Sequence, residues 1–348
     1  MMDIDFLLQL LNSSGVSGNE KEAIQLCKSY MPNNCHIHQD ALGNLLVTIP
    51  GNSESQKASS SHILIDAHID EIGLQVTYIN NDGYIFVRTC GSIDIASLIG
   101  SFVEIRCSGG ETVKGVIGRK PVHLMKGDEK SKIPDIDGIW IDTGLDNKEI
   151  KEKVCIGDYI TTTPNAVILG NGRIASKAID NRVGAFILTQ LAHALNGKSD
   201  KHVTLAFTIQ EELGCKGAIV SAYGKNFDYV VCIDAAFSSD VPDVSPRIAG
   251  DIKLGTGPVI YRNGDTSPEL YEYITNVAKK NDIKIQISAN YAASGGTNTR
   301  NLQLSGTGQK TATIGYAVRY MHTPVSMADL NDIENIIKLF CHIINKNG

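Results

Sequence analysis

Five residues of metal-binding types stand where apolar segments stop or a helix begins in this chain of 348 residues: His68, Asp180, Glu212, Asp234 and His322. A second carboxylate lies close to two of them, in His68-Ile69-Asp70 and in Glu211-Glu212. Two imidazoles and three carboxylates suit zinc, cobalt or manganese better than the metals that prefer thiolates. One bridging carboxylate, with one histidine and one acid for each of two ions, would use all five. The set therefore predicts a metal-dependent hydrolase with two metal ions.

The segments around these residues are typical of an α/β fold. Asp180 begins a segment with the apolar spacing of a one-faced helix. The other four ligands follow continuous apolar segments that are predicted strands, at residues 60–67, 203–209, 229–233 and 311–314. Such strands indicate a central mixed, mostly parallel sheet sandwiched by helices. Because functional groups collect at the carboxyl ends of parallel strands, we predict that these distant residues converge.

The middle of the chain has a different residue pattern, with short β-like segments separated by glycines and almost no helical periodicity. Regular turn spacing of this kind predicts a small β-barrel or sandwich inserted into the main fold, and we take a barrel as the first choice. We therefore divide the chain into an α/β domain of residues 1–69 plus 165–348 and an inserted domain of residues 70–164. Two helices are predicted before the first strands, the second beginning at Lys21 with Ser17 or Asn19 as its cap.

Composition excludes several classes of protein. The formal net charge is -6 and no block of Lys or Arg forms a basic stripe, which argues against nucleic-acid and anionic-membrane partners. The chain begins with acids, at Asp3 and Asp5, where a signal peptide needs bases, so we expect a cytoplasmic protein. Eight scattered cysteines without a C-x-x-C pair suggest neither a disulfide framework nor a zinc finger.

Five sequence blocks give the chain a strong resemblance to the M42 metallo-aminopeptidases, a family that includes glutamyl aminopeptidases and tetrahedral TET peptidases, some of them labelled endoglucanases. The blocks occur in the family's order and cover nearly the whole chain: 66–73 (DAHIDEIG), 115–121 (GVIGRKP), 177–182 (KAIDNR), 210–214 (QEELG) and 319–324 (RYMHTP). Dimeric metallo-carboxypeptidases and deacylases share the His-x-Asp and Glu-Glu patterns. The position of the insertion before Asp180 and the last block favour the M42 family.

The resemblance implies a role for each residue of the site. His68 and Asp234 would hold one metal ion, Glu212 and His322 the other, and Asp180 would bridge them. Two divalent ions per subunit are expected, with zinc the first choice and cobalt or manganese as alternatives.

The resemblance also implies how the site would work. Glu211 corresponds to the general base that activates a metal-bridging water, and Asp70 to the acid that orients His68. The expected activity is removal of N-terminal residues from peptide substrates. The inserted domain would mediate dimerisation, with dimers assembling into a tetrahedral dodecamer.

Two departures from the family pattern and two alternative functions stay open at this point. Asn298 replaces the acid of the family's Gly-Gly-Thr-Asp block, and residues 308–312 lack an expected proline, which bears on substrate preference or loop geometry. An endo-β-glucanase-type glycoside hydrolase would need two carboxylates flanking a sugar and usually aromatic platforms, whereas the chain has one tryptophan, Trp140. A non-catalytic assembly protein on the same fold is the other alternative.

Overall fold

The computed structural model describes residues 2–51, 61–289 and 297–345, so Gly295 and Gly296 of the glycine-rich segment lie outside the described residues. The strands are, in chain order, β1 (His36–Gln39), β2 (Leu45–Ile49), β3 (His62–His68), β4 (Gly73–Ile79), β5 (Ile85–Cys90), β6 (Phe102–Arg106), β7 (Thr112–Arg119), β8 (Ile139–Asp142), β9 (Tyr159–Thr162), β10 (Val167–Leu169), β11 (Arg173–Ser176), β12 (His202–Thr208), β13 (Tyr229–Phe237), β14 (Val259–Tyr261), β15 (Gln286–Ser288), β16 (Thr311–Val318) and β17 (Ser326–Asp329). The helices are α1 (Ile4–Asn12), α2 (Lys21–Ser29), α3 (Ile95–Leu98), α4 (Asn147–Lys153), α5 (Ile179–Leu195), α6 (Lys216–Ser221), α7 (Pro246–Ala249), α8 (Pro268–Lys280), α9 (Asn298–Gln303) and α10 (Leu330–Ile344).

The central sheet has eight strands in the order β1-β2-β12-β3-β13-β16-β14-β15. Its four inner strands, β12, β3, β13 and β16, run parallel. Alternate residues of β3 face opposite sides: Ile63 and Ile65 join the main core with α1, α5, α8 and α10, whereas Leu64 joins a smaller core with α6 and α9. Helices therefore cover both faces, and the predicted α/β fold is confirmed.

The inserted segment forms a closed antiparallel barrel in the strand order β4-β5-β8-β7-β6-β9. Alternating apolar residues such as Val87, Ile105 and Ile160 fill its interior. The predicted barrel is therefore confirmed, and its strands run from Gly73 to Thr162. The exact limits of an independent domain, 70 and 164, stay a prediction. No helix in the described part of the chain combines the length and apolar character needed to cross a bilayer.

A buried ionic cluster joins the N-terminal helices, the start of the barrel and α5. The ammonium of Lys177 donates to both carboxylate oxygens of Glu71, at 2.9 and 2.8 Å, and to the carbonyl of Ser13 at 2.7 Å. The guanidinium of Arg182 donates to the Ser13 hydroxyl at 2.6 Å and to the Ile69 carbonyl. Paired and hydrogen-bonded charges of this kind are tolerated in a core, and removing one partner is strongly destabilising. The cluster thereby anchors the backbone between His68 and Asp70.

Two local predictions were wrong. Neither Ser17 nor Asn19 caps α2, because Glu20 occupies the cap position without a side-chain cap bond, and the Ser17 amide instead donates to the Glu71 carbonyl at 3.0 Å. Asp234 was expected just past the end of its strand, but β13 continues to Phe237. The strand continues because its parallel partner β16 remains paired with it as far as Val318. Asp234 thus reaches the site from inside a strand.

Candidate metal centre

All five predicted ligands meet at the carboxyl ends of the parallel strands. His68 is the last residue of β3, Asp234 lies in β13, and Asp180 lies in the first turn of α5. Glu212 belongs to the turn after β12, and His322 to the loop between β16 and β17. The convergence follows from the parallel topology, which places these ends at one edge of the sheet.

Asp180 lies between two histidine–carboxylate pairs. Its Oδ1 is 3.2 Å from Nε2 of His68, and its Oδ2 is 3.5 Å from Nε2 of His322. Nε2 of His68 is also 3.6 Å from Oδ1 of Asp234, and Nε2 of His322 is 3.4 Å from Oε1 of Glu212. The ligand atoms of each group of three lie within 4.8 Å of one another. The arrangement can therefore hold two ions that share one carboxylate.

Burial and charge in the site also fit bound cations. His68 is 2% exposed and Asp234 is 7% exposed, whereas the His322 side chain is 31% exposed. Within the described residues, the buried Oδ1 of Asp180 accepts no hydrogen bond of good geometry, which leaves its lone pairs available to an ion. Burial raises the pKa of Asp234 and of Glu212, because a desolvated carboxylate is unstable without positive charge nearby. Two divalent ions would supply that charge.

Glu211 and Asp70 stand beside these ligands. Oε2 of Glu211 is 4.0 Å from Nε2 of His68, and burial, with the Asp234 and Glu212 carboxylates adding to it, raises the pKa of Glu211 to about 9. The Asp70 carboxylate accepts hydrogen bonds from the backbone N–H groups of Glu211 and Glu212, with both N–O distances at 3.0 Å. Its distance to Nδ1 of His68 is 3.5 Å, longer than a strong hydrogen bond. Asp70 therefore anchors the Glu211-Glu212 turn, and its orienting role toward His68 stays a prediction.

Two residues near Glu211 escaped the sequence analysis. The Cys215 thiol donates to Oε1 of Glu211 at 3.4 Å. Glu20, which is 5% exposed, accepts the amides of Gly18 at 2.7 Å and Gln210 at 3.2 Å. Burial, with the charge of Asp70 adding to it, raises the pKa of Glu20 to about 7. The four-residue spacing of Glu211 and Cys215 was visible in the sequence, whereas the contact from Glu20 depends on tertiary packing.

Replacement of Cys215 by alanine is expected to lower kcat about fivefold, because Glu211 would lose a hydrogen bond of about 1 kcal/mol that holds its carboxylate in place. Cys215→Ser is expected to restore most of the rate, since its hydroxyl can still donate. Both variants keep a side chain at the left-handed backbone of residue 215, φ 54°, so they share its strain. Steady-state kinetics with metal analysis checks this: an equal loss in both variants, or a change confined to KM, would contradict it.

A buried amide links the segments that carry Asp180 and Asp234. Nδ2 of Asn181 donates to the Ile233 carbonyl at 2.8 Å, and its Oδ1 accepts the Tyr316 hydroxyl at 2.7 Å. Asp180 and Asn181 themselves leave helical geometry inside the first turn of α5. Asn181 was part of a sequence block, but nothing in the sequence pointed to Tyr316.

Asn298, the departure from the family's acid, has a structural explanation. Its Nδ2 donates to Oδ1 of the fully buried Asp66 at 2.7 Å and to the Thr208 hydroxyl at 2.8 Å. An acid at position 298 would bring a second carboxylate against Asp66, which buried surroundings disfavour. Asn298 is thus suited to its buried neighbour Asp66. Neither Asp66 nor Thr208 is among the proposed ligands.

Comparison with known proteins identifies the family of this chain. The M42 glutamyl aminopeptidase family matches residues 43–339. A lysyl aminopeptidase of Pyrococcus furiosus is 30% identical over 348 residues, covering 97% of this chain and 96% of that protein. The crystal structure of a TET aminopeptidase from the marine sediment archaeon Thaumarchaeota archaeon SCGC AB-539-E09 is 30% identical, covers 98% of this chain and 95% of its own, and has a TM-score of 0.90. The TET1 peptidase of Pyrococcus horikoshii, which can assemble into a tetrahedron or a large octahedral shell, is 30% identical, with 98% of each chain covered and a TM-score of 0.86. The resemblance noted in the sequence is thus confirmed, and the chain belongs to the M42 glutamyl aminopeptidase family of peptidases.

Proposed function

We propose that this protein is an aminopeptidase that uses two divalent metal ions to remove residues from the N-termini of peptides. The observation that carries the proposal is the position of Asp180, whose two oxygens face His68 and His322 separately. A carboxylate in that position is suited to bridge two ions. Its pKa is lowered because contacts with the two imidazoles outweigh the effect of burial, so Asp180 stays ionised.

His68 with Asp234 would hold one ion, and Glu212 with His322 the other. Bound ions would polarise the scissile carbonyl and acidify a water molecule between them. Zinc is the proposed metal, with cobalt and manganese as alternatives that accept the same ligands.

Glu211 is the proposed general base. Its carboxylate faces the site beside His68, where a proton acceptor is needed. Glu211 would take a proton from the attacking water and give it to the leaving amine. The backbone of this turn is held by Asp70 and Glu20, which keeps the carboxylate in reach.

The proposed partners are peptides and further copies of the chain. The family description and the Pyrococcus furiosus relative name different N-terminal residues, glutamyl and lysyl, so a panel of aminoacyl substrates is needed. We propose dimers that assemble into a tetrahedral dodecamer through the barrel, which exposes Phe102 (65%), Leu124 (64%) and Ile133 (68%). All eight cysteines are free thiols, which supports the proposed cytoplasmic location.

The test is hydrolysis of aminoacyl chromogenic substrates before and after chelation. Activity is expected to disappear when the ions are removed and to return when zinc, cobalt or manganese is added. Mass spectrometry of a peptide should show loss of single N-terminal residues. Activity that survives both chelation and the Glu211→Gln substitution would exclude the proposal.

The two alternatives predict different results. A glycoside hydrolase should cleave a β-glucan as metal-free protein; the carboxylates here gather around two imidazoles, and Trp140 lies in barrel strand β8, which favours peptide hydrolysis. A non-catalytic assembly protein should purify without stoichiometric metal when no chelator is used. The exposed apolar residues of the barrel fit assembly, and they are equally expected of an oligomeric enzyme.

A further inference from the structure

The inserted barrel touches the candidate metal centre at Gly91, the residue that follows β5. Gly91 has φ +82°, and a Cβ atom built on it would lie 2.8 Å from Oε2 of Glu212, 2.8 Å from Cγ2 of Ile72 and 3.1 Å from Cβ of Glu212. Real Cβ atoms essentially never approach other heavy atoms within 3.0 Å. The barrel backbone therefore packs directly against the Glu212 side chain, with no space for a methyl group between them.

A second contact comes from Asp94, three residues further along the same segment. Its backbone N–H donates to the carbonyl oxygen of His322 at 3.0 Å. His322 needs such support, because both it and Tyr320 have left-handed backbone, φ 62° and 59°, without being glycine. Within the loop, the hydroxyls of Thr323 and Ser326 donate hydrogen bonds to the Tyr320 carbonyl. Asp94 fixes the loop from outside, at the ligand residue.

The two ligand pairs thus differ in what positions them. His68 and Asp234 lie on neighbouring parallel strands, β3 and β13, two residues beyond the last pair of their ladder, Asp66 with Cys232. Glu212 and His322 lie on loops, and each is contacted by residues 91–94 of the barrel.

We infer that residues 91–94 of the inserted barrel position Glu212 and His322, so that this segment determines the affinity of the second metal ion only. This inference rests on the proposed two-metal function. Gly91 and Asp94 are positioning residues, since they act through the ligands and do not reach the ions. Loss of such outer contacts typically lowers metal affinity 10- to 100-fold.

The test compares Gly91→Ala with Gly100→Ala. Both glycines lie in the inserted segment with similar positive φ, +82° and +86°, but a Cβ on Gly100 would meet nothing within 4 Å. Zinc bound per chain is measured by equilibrium dialysis against buffered zinc and elemental analysis. Wild type and Gly100→Ala are expected to bind two ions with matching affinities. Gly91→Ala is expected to bind the first ion normally and the second 10- to 100-fold more weakly.

A second pair of variants addresses Asp94 if Gly91→Ala fails to fold. Asp94 has φ -73°, which proline can adopt, so Asp94→Pro removes the N–H donor. Asp94→Ala keeps that donor and, like the proline variant, removes the side-chain cap of α3. Only the proline variant is expected to weaken the second ion.

Three results would overturn the inference. The first is that Gly91→Ala binds both ions with wild-type affinity and that Asp94→Pro and Asp94→Ala bind the second ion with the same affinity as each other. The second uses His322→Ala, which should bind only the ion held by His68 and Asp234. If adding Gly91→Ala to that variant weakened the remaining ion, the segment would not act on the second ion alone. Both leave the proposed function standing if wild type binds two ions and cleaves peptides. Wild type that binds fewer than two ions would overturn the inference and the proposed function together.

Discussion

Replacing Glu211 by glutamine is expected to lower kcat by about 10²- to 10⁴-fold while two metal ions remain bound to each chain. Glutamine has nearly the shape of glutamate but cannot take a proton from water, so ligand geometry survives and proton transfer does not. Glu211 is not one of the residues in the two ligand groups, and its amide is held by Asp70 at 3.0 Å. The turn should therefore keep its conformation in the variant.

Steady-state kinetics and elemental analysis of the same preparation check this expectation. Glu22→Gln is a suitable control, because Glu22 lies on α2 with its side chain 51% exposed and outside the ligand groups. It should retain wild-type kcat. A Glu211→Gln variant that lost metal as well as activity would show that Glu211 is a ligand, and one that kept full activity would remove it from the mechanism.

The second large effect is expected at Asp180. Asp180→Ala should weaken both metal ions and reduce activity below detection, because its two oxygens face both histidines. Asp234→Ala should weaken only the ion held with His68, since Asp234 lies beside that histidine. The comparison separates a bridging ligand from a terminal one.

Equilibrium dialysis with zinc measures both variants, and thermal unfolding with and without metal shows whether each chain still folds. Ligand binding stabilises the folded state more as affinity and ligand concentration rise, so wild type should melt at higher temperature with zinc and Asp180→Ala should show almost no shift. Equal metal loss in Asp180→Ala and Asp234→Ala would contradict the bridging role.

Much of the fold could be predicted from local patterns. Helix α2 begins at the predicted Lys21, and β3 and β12 overlap the strands predicted at residues 60–67 and 203–209. Such elements carry their own signals, because apolar spacing acts over a few residues. The small sheet of β10, β11 and β17 was missed, since its strands are short and β17 pairs with β11 across about 150 positions.

The candidate site likewise combines residues that the sequence predicted with contacts that it did not. Ligand types and their order along the chain predicted His68, Asp180, Glu212, Asp234 and His322, and parallel topology explains why they meet. Asp70 was predicted to support His68, yet its closest bonds go to the amides of Glu211 and Glu212. That difference arises from the conformation of the turn after β12, which no local pattern specifies.

The amino-acid sequence alone was enough for the class of fold, the family and the residues able to bind metal, because these depend on residue types and short-range periodicity. Only the tertiary structure decided how those residues are supported: Asp70 on the amides of Glu211 and Glu212, Cys215 on Glu211, and Gly91 of the barrel against Glu212. The physical reason is the distance along the chain over which each signal acts. Periodicity reports which face of an element is buried, whereas a contact between residues 91 and 212 depends on how the barrel packs against a loop of the central sheet.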